Sequence, residues 1–162
     1  MIVVLLGTNP YSFERLVKAV DAIAEKGEEE FFVQLGNTPY EPRYCPFVRF
    51  IMKESLEAKI REATVVITHG GFGSIRDALA KRKPVIAVPR MEKFGECMDR
   101  QMELVSELEK AGRILAVYDV SALHKTIGEA KNFVGREITP NRIPQIIAEF
   151  LGNSFAAKPM AK

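Results

Sequence analysis

At 162 residues the chain is long enough for one domain that buries a core without disulfide or metal staples. Apolar residues make up 47% and charged residues 27%; 23 Lys and Arg against 21 Asp and Glu leave a net charge of +2, without the basic excess of a nucleic-acid binder. No apolar run approaches the roughly 20 residues that a membrane-spanning helix needs.

The run IVVLL at 2–6 has no basic leader and stops at Gly7, so it reads as a buried first strand rather than a signal sequence. GTNPYS follows, then an amphipathic helix over 13–26 with Phe13, Leu16, Val17, Val20 and Ile23 on one face. A second strand is predicted at 31–35, a proline- and aromatic-rich loop at 37–46, and a short strand at 47–50. A helix over 54–61 precedes a strand at 65–67, which breaks at Thr68-His69 into a glycine turn that opens a helix over 74–81. PVIAVP at 84–89 reads as a buried strand, 90–98 as a loop and 99–110 as a helix with Gly112 as its C-cap. GRILAVYD at 112–119 carries the last strand, Ser121 caps a further helix, and a terminal helix is expected over 141–151.

Near-continuous apolar strands alternating with helices predict an α/β, Rossmann-like, doubly wound parallel sheet. One domain over 1–152 and a flexible tail at 153–162 are expected. Cys45 and Cys97 lie far apart with no metal or redox spacing, so the default is a reduced, cytoplasmic protein. There is no HExxH and no Cys/His cluster, and no metal or cofactor is expected.

Such sheets bind ligands outside the carboxyl ends of their strands. Three features fall there: GTNPYSF after the first strand, HGGFGS after the fourth and PRMEKFGECMDRQ after the fifth. Gly71, Gly73 and Ser74 lead into a helix N-terminus, where amides and dipole suit a phosphate, although a tight turn would use the same glycines. Ser74 and Asp77 fit a capping box, and Asp77 equally fits a ribose diol beside the phosphate. Gly7-Thr8-Asn9 is either a second phosphate-facing loop or a plain connection turned by Pro10. His69 could donate to phosphate or sugar, or serve the fold. Glu96, Asp99 and Gln101 suit sugar hydroxyls, or a solvated helix start. AKRKP at 80–84 reads as a solvated helix end, and His124 as a surface residue.

Taken together, LLGTNPYSFERLVKAV, ATVVITHGGFGSIRDALAKRKPVIAVPR and FGECMDRQMELVSELEKAG resemble the C-terminal, donor-binding half of GT-B glycosyltransferases of the family 28 type. That group includes MurG and, with the nearest look, the PssE-like exopolysaccharide subunits. The resemblance implies a UDP-sugar site. Gly7, Thr8, Gly71, Gly73 and Ser74 would hold the diphosphate, Asp77 the ribose, and Glu96, Asp99 and Gln101 the sugar. One departure stands out: PssE-like chains carry EHxDxHQ in the acidic loop, where this chain has Cys97 and Arg100.

A GT-B enzyme has two halves, and the similarity covers one. The resemblance therefore implies a separate membrane-anchored, PssD-like subunit that binds the acceptor and supplies the catalytic base. This chain would sit at the cytoplasmic membrane face through that subunit. It could self-associate without it. The implied reaction is inverting transfer of a hexosyl or N-acetylhexosaminyl group to a lipid-linked acceptor. The alternative is a non-catalytic nucleotide-sugar-binding or regulatory module. A nicotinamide enzyme is disfavoured because no GxGxxG follows the first strand.

Overall fold

The computed structural model describes residues 1–97 and 101–136. Six strands form one all-parallel sheet in the order β3-β2-β1-β4-β5-β6. They are β1 (Ile2–Leu5), β2 (Phe31–Gln34), β3 (Phe47–Val48), β4 (Val65–His69), β5 (Val85–Val88) and β6 (Leu115–Ala116). The α-helices are α1 (Glu14–Ala24), α2 (Lys53–Glu62), α3 (Phe72–Ala80), α4 (Gln101–Lys110) and α5 (Leu123–Ala130). The order reverses between β1 and β4, which makes that gap the switch point of a doubly wound sheet.

Strand residues alternate between two apolar layers, as a period of two requires. Ile2, Val4 and Ile67 pack with Phe13, Leu16, Val20 and Ile127, burying the stripes of α1 and α5. Val3, Leu5 and Val66 face the other way onto Ile60, Ile75, Ala78 and Val105 of α2, α3 and α4. With both faces covered, every residue of β1 is at most 1% exposed. The buried first strand is thus as expected. No helix among the described residues is long and apolar enough to cross a membrane.

Several boundaries differ from expectation. β4 runs through Thr68 and His69 because both keep their register with β5, at Ala87 and Val88. α3 starts at Phe72, two residues early, with Gly71 as N-cap and no side-chain cap. Ser74 therefore lies inside the first turn, and the capping box does not form. β6 is cut to two residues at the sheet edge. The cap expected from Ser121 comes from Asp119, whose side chain accepts from Ser121 N–H ahead of the 3-10 turn at Val120–Ala122. The helix at 141–151 and the tail at 153–162 lie outside the described residues.

β2 and β3 are parallel yet joined without a helix. Buried Asp21 of α1 anchors their loop, accepting from Tyr40 Oη at 2.8 Å and from the amides of Arg43 and Tyr44 at 2.9 Å.

Candidate functional site

Three loops meet at the carboxyl edge of the sheet, and each is held by a polar side chain. The loop after β1 turns at Gly7, whose φ of +75° favours glycine. Gln34, at the end of β2, holds both the N–H and the C=O of Gly7. Its Oε1 accepts from Gly7 N–H at 3.0 Å and its Nε2 donates to Gly7 O at 3.0 Å.

The loop after β4 is built around His69. A Cβ on Gly7 would lie 2.5 Å from His69 Nε2, and one on Gly71 would lie 2.0 Å from His69 Cε1. The ring is thus sandwiched between two glycines from two loops. Gly71 N–H donates to His69 Nδ1 at 3.0 Å, so a neutral ring carries its proton on Nε2. Gly70 is compressed as well, since a Cβ there would lie 2.7 Å from the Cβ of Gln101. Gly73 is different. A Cβ at that position would meet nothing within 4 Å, and no positive φ requires a glycine there.

The loop after β5 is fixed by Arg90 and Glu96. Arg90 is 1% exposed and lies over the Phe13 ring at 4.6 Å. Its Nη2 donates to Leu6 O at 2.9 Å, and its Nη1 donates to Tyr11 O at 2.9 Å and Glu96 O at 3.1 Å. Glu96 accepts from Arg15 Nε at 3.0 Å and Nη2 at 2.9 Å, and from Met91 N–H at 3.0 Å. Gln101 is buried, its Oε1 accepting from Arg90 N–H at 3.1 Å.

Between the first two loops, at the switch point, opens a cleft of about 510 Å³. Gly7, Thr8, Asn9, His69, Gly73, Ser74 and Asp77 line its polar part, and Phe50, Ile51 and Leu56 line an apolar end. The first i→i−4 bond of α3 runs from Ile75 N–H to Gly71 O, which leaves the amides of Phe72, Gly73 and Ser74 ahead of it. The dipole of α3 adds a positive partial charge at the same point. One turn on, the Asp77 carboxylate reaches the cleft while its Oδ1 pairs with Arg76 at 2.8 Å. An anion at the α3 N-terminus and a diol at Asp77 fit this arrangement chemically.

The structure therefore brings together Gly7, Thr8, His69, Gly73, Ser74 and Asp77 of the expected residues. It does not bring Gly71, Glu96 or Gln101 to the cleft lining: Gly71 seats His69, and the other two are tied inside the loop after β5. Asp99 and Arg100 lie outside the described residues. Sequence reasoning passed over Gln34, Phe50, Ile51, Leu56 and the buried Arg90. A polar residue closing an otherwise apolar strand was the available sign for Gln34. The others carry no local sign, since β3 and the loops reach the cleft only through chain crossing.

A doubly wound parallel sheet with a glycine-lined cleft at its switch point defines a Rossmann-like α/β domain with a candidate ligand site at the carboxyl edge of its strands. Residues 1–159 match the glycosyltransferase family 28 C-terminal domain, and the chain belongs to that family. It is 30% identical over 122 residues to the human UDP-N-acetylglucosamine transferase subunit ALG13, covering 68% of this chain and 10% of that protein. Among solved structures, MurG of Acinetobacter baumannii is 13% identical with a TM-score of 0.59, over 93% of this chain and 49% of that one. The UDP-N-acetylglucosamine 2-epimerase-like protein of Listeria monocytogenes shares the fold at 11% identity and a TM-score of 0.61, over 97% of this chain and 46% of that one. The chain is Rossmann-like and of the GT-B glycosyltransferase type.

Proposed function

We propose that this chain is the donor-binding subunit of an inverting glycosyltransferase that takes its sugar from a UDP-sugar held in the β1–β4 cleft. Gly73 carries this reading. Glycine costs a helix up to about 1 kcal/mol relative to alanine, and neither packing nor backbone geometry at Gly73 requires it. A ligand approaching the helix N-terminus closely does require it.

In this reading the diphosphate sits against the amides of Phe72, Gly73 and Ser74 and the Ser74 hydroxyl. Gly7 and Thr8 face it, and His69 offers its Nε2–H. Asp77 accepts from the ribose hydroxyls, and the apolar end at Phe50, Ile51 and Leu56 takes the flat base. Of the residues assigned to the sugar, Glu96 and Gln101 position the loop after β5, and Asp99 belongs to that same stretch of chain.

An acceptor hydroxyl attacks the anomeric carbon from the face opposite the leaving group. The bond from that carbon to the β-phosphate oxygen breaks, and its electron pair goes to the phosphate. The preorganised amides and dipole of α3 stabilise that charge as it develops. The hydroxyl proton goes to a general base on a second, PssD-like membrane-anchored subunit, which also binds a lipid-linked acceptor. Exposed apolar side chains support such a partner: Phe50, Phe72 and Phe94 are more than half exposed and follow the carboxyl ends of β3, β4 and β5. A surface of that kind suits a covering protein, or self-association without one.

Calorimetric titration with UDP, UDP-N-acetylglucosamine, UDP-glucose, UDP-glucuronate, ATP and NAD, with and without magnesium, tests the site. Metal-independent binding of uridine ligands alone is expected. Preference for ATP or NAD would overturn the assignment. The rival reading, a non-catalytic nucleotide-sugar-binding module, predicts the same binding but no transfer when the partner subunit is added.

A further inference from the structure

Helix α3 has a second working flank. Gly73, Ser74 and Asp77 face the cleft, whereas Phe72, Ile75, Arg76 and Leu79 line a separate groove of about 630 Å³. The groove lies between α3, α4 and residues 133–136. Its floor is apolar, formed by Ile75, Leu79, Pro84 and Leu108. Its polar lining is entirely cationic: Arg76, Arg82, Lys83, Arg113 and Arg136, with no carboxylate among the lining residues.

That segregation is not a by-product of overall charge, because the whole chain carries 21 acids against 23 bases. Among the described residues, Lys83, Arg113 and Arg136 form no ion pair, and the buried Nε of Arg113 has no hydrogen-bond partner. Those three gather like charge without a counter-charge, whereas Arg76 is paired with Asp77, and an anion relieves the repulsion among the three. Two apolar side chains stand out at the groove: Phe72, 61% exposed, and Val134, 90% exposed. Cations around a recessed apolar floor, with apolar groups protruding beside them, match an anionic amphiphile better than a water-soluble anion.

We propose that this groove binds an anionic membrane phospholipid, with the phosphate on the Lys83–Arg113–Arg136 rim and an acyl chain along the floor. The chain then has its own hold on a membrane. Lys83 and Arg113 precede β5 and β6, so the rim lies at the amino edge of the sheet. A partner subunit closing over the carboxyl edge would cover Phe72 at the far end of the groove and leave this rim and Val134 open. The inference does not depend on what the cleft binds.

Sedimentation of the full chain with vesicles tests it, using phosphatidylcholine alone and phosphatidylcholine mixed equally with phosphatidylglycerol, at low salt. The chain should pellet with the mixed vesicles and stay in solution with the neutral ones. Replacing both Lys83→Gln and Arg136→Gln should weaken partitioning roughly thirtyfold, from about 1 kcal/mol per basic residue. Val134→Asp, at a position too exposed to disturb packing, should weaken it as well, with the urea midpoint unchanged. Failure to pellet with anionic vesicles would overturn the proposal, and would be the result if residues 137–162 or a protein filled the groove. Equal binding to neutral vesicles, or full binding by Val134→Asp and by the double variant, would overturn it too.

Discussion

The glycines of HGGFGS serve different ends, and the distinction is testable residue by residue. Gly70 yields to Gln101 and Gly71 to His69, so alanine at either forces a clash. Gly73 yields to nothing within the protein. Gly73→Ala should leave stability unchanged or raise it by up to about 1 kcal/mol, while weakening UDP binding by at least tenfold. Urea unfolding and calorimetry read the two effects separately; binding at the original affinity would remove the main support for the cleft assignment. Asp77 makes no cap, so Asp77→Asn should cost nucleotide affinity with little change in the unfolding midpoint. A large drop in stability with binding intact would return Asp77 to a purely structural role.

At the scale of elements, the decisive side chains join loops that are distant in sequence. Arg90 reaches Leu6, Tyr11 and Ser12 across the sheet edge while its own loop is closed through Glu96. Arg90→Leu would strand several buried carbonyls and should destabilise the fold by about 3 kcal/mol or more, read by urea unfolding. Nucleotide binding should fall with it, because the β1 loop that carries Gly7 and Thr8 loses its brace. A variant as stable as the parent would show that water replaces the guanidinium without cost. The helix expected over 74–81 is present, but its start and the capping box differ for one reason: Gly71 supplies an extended N-cap, so the helix begins two residues early. A pattern of residue types suggests a cap, but only backbone direction decides which residue occupies it.

For the molecule as a whole, the apolar layers on both sheet faces set the stability, and one buried thiol makes it depend on pH. Burial, with a smaller contribution from the Asp21 charge, pushes Cys45 from an ordinary 9.0 up to about 11. Between those values the unfolded chain gives up the thiol proton while the folded chain keeps it. Stability from this group is therefore intact below about pH 9 and falls as pH rises toward 11. Urea midpoints measured across that range should decline less for Cys45→Ala than for the parent; equal slopes would show that other groups set the alkaline limit.

Much of this architecture is legible in the amino-acid sequence alone. Alternating apolar runs and amphipathic segments determined the number of strands, their parallel character and the three loops at the carboxyl edge, because side-chain periodicity is a local property of each element. Glycines, Ser74 and Asp77 pointed to the cleft, since backbone permissiveness and charge are carried by residue type. Only the tertiary structure decided that Gly71 seats a histidine while Gly73 stays open, that Glu96 and Gln101 are tied inward, and that Arg76, Lys83, Arg113 and Arg136 line one groove. Those facts depend on the strand order, which brings Gly7 against His69 and Arg90 against Leu6. Distance across a folded sheet is set by chain crossing, and no local pattern encodes it.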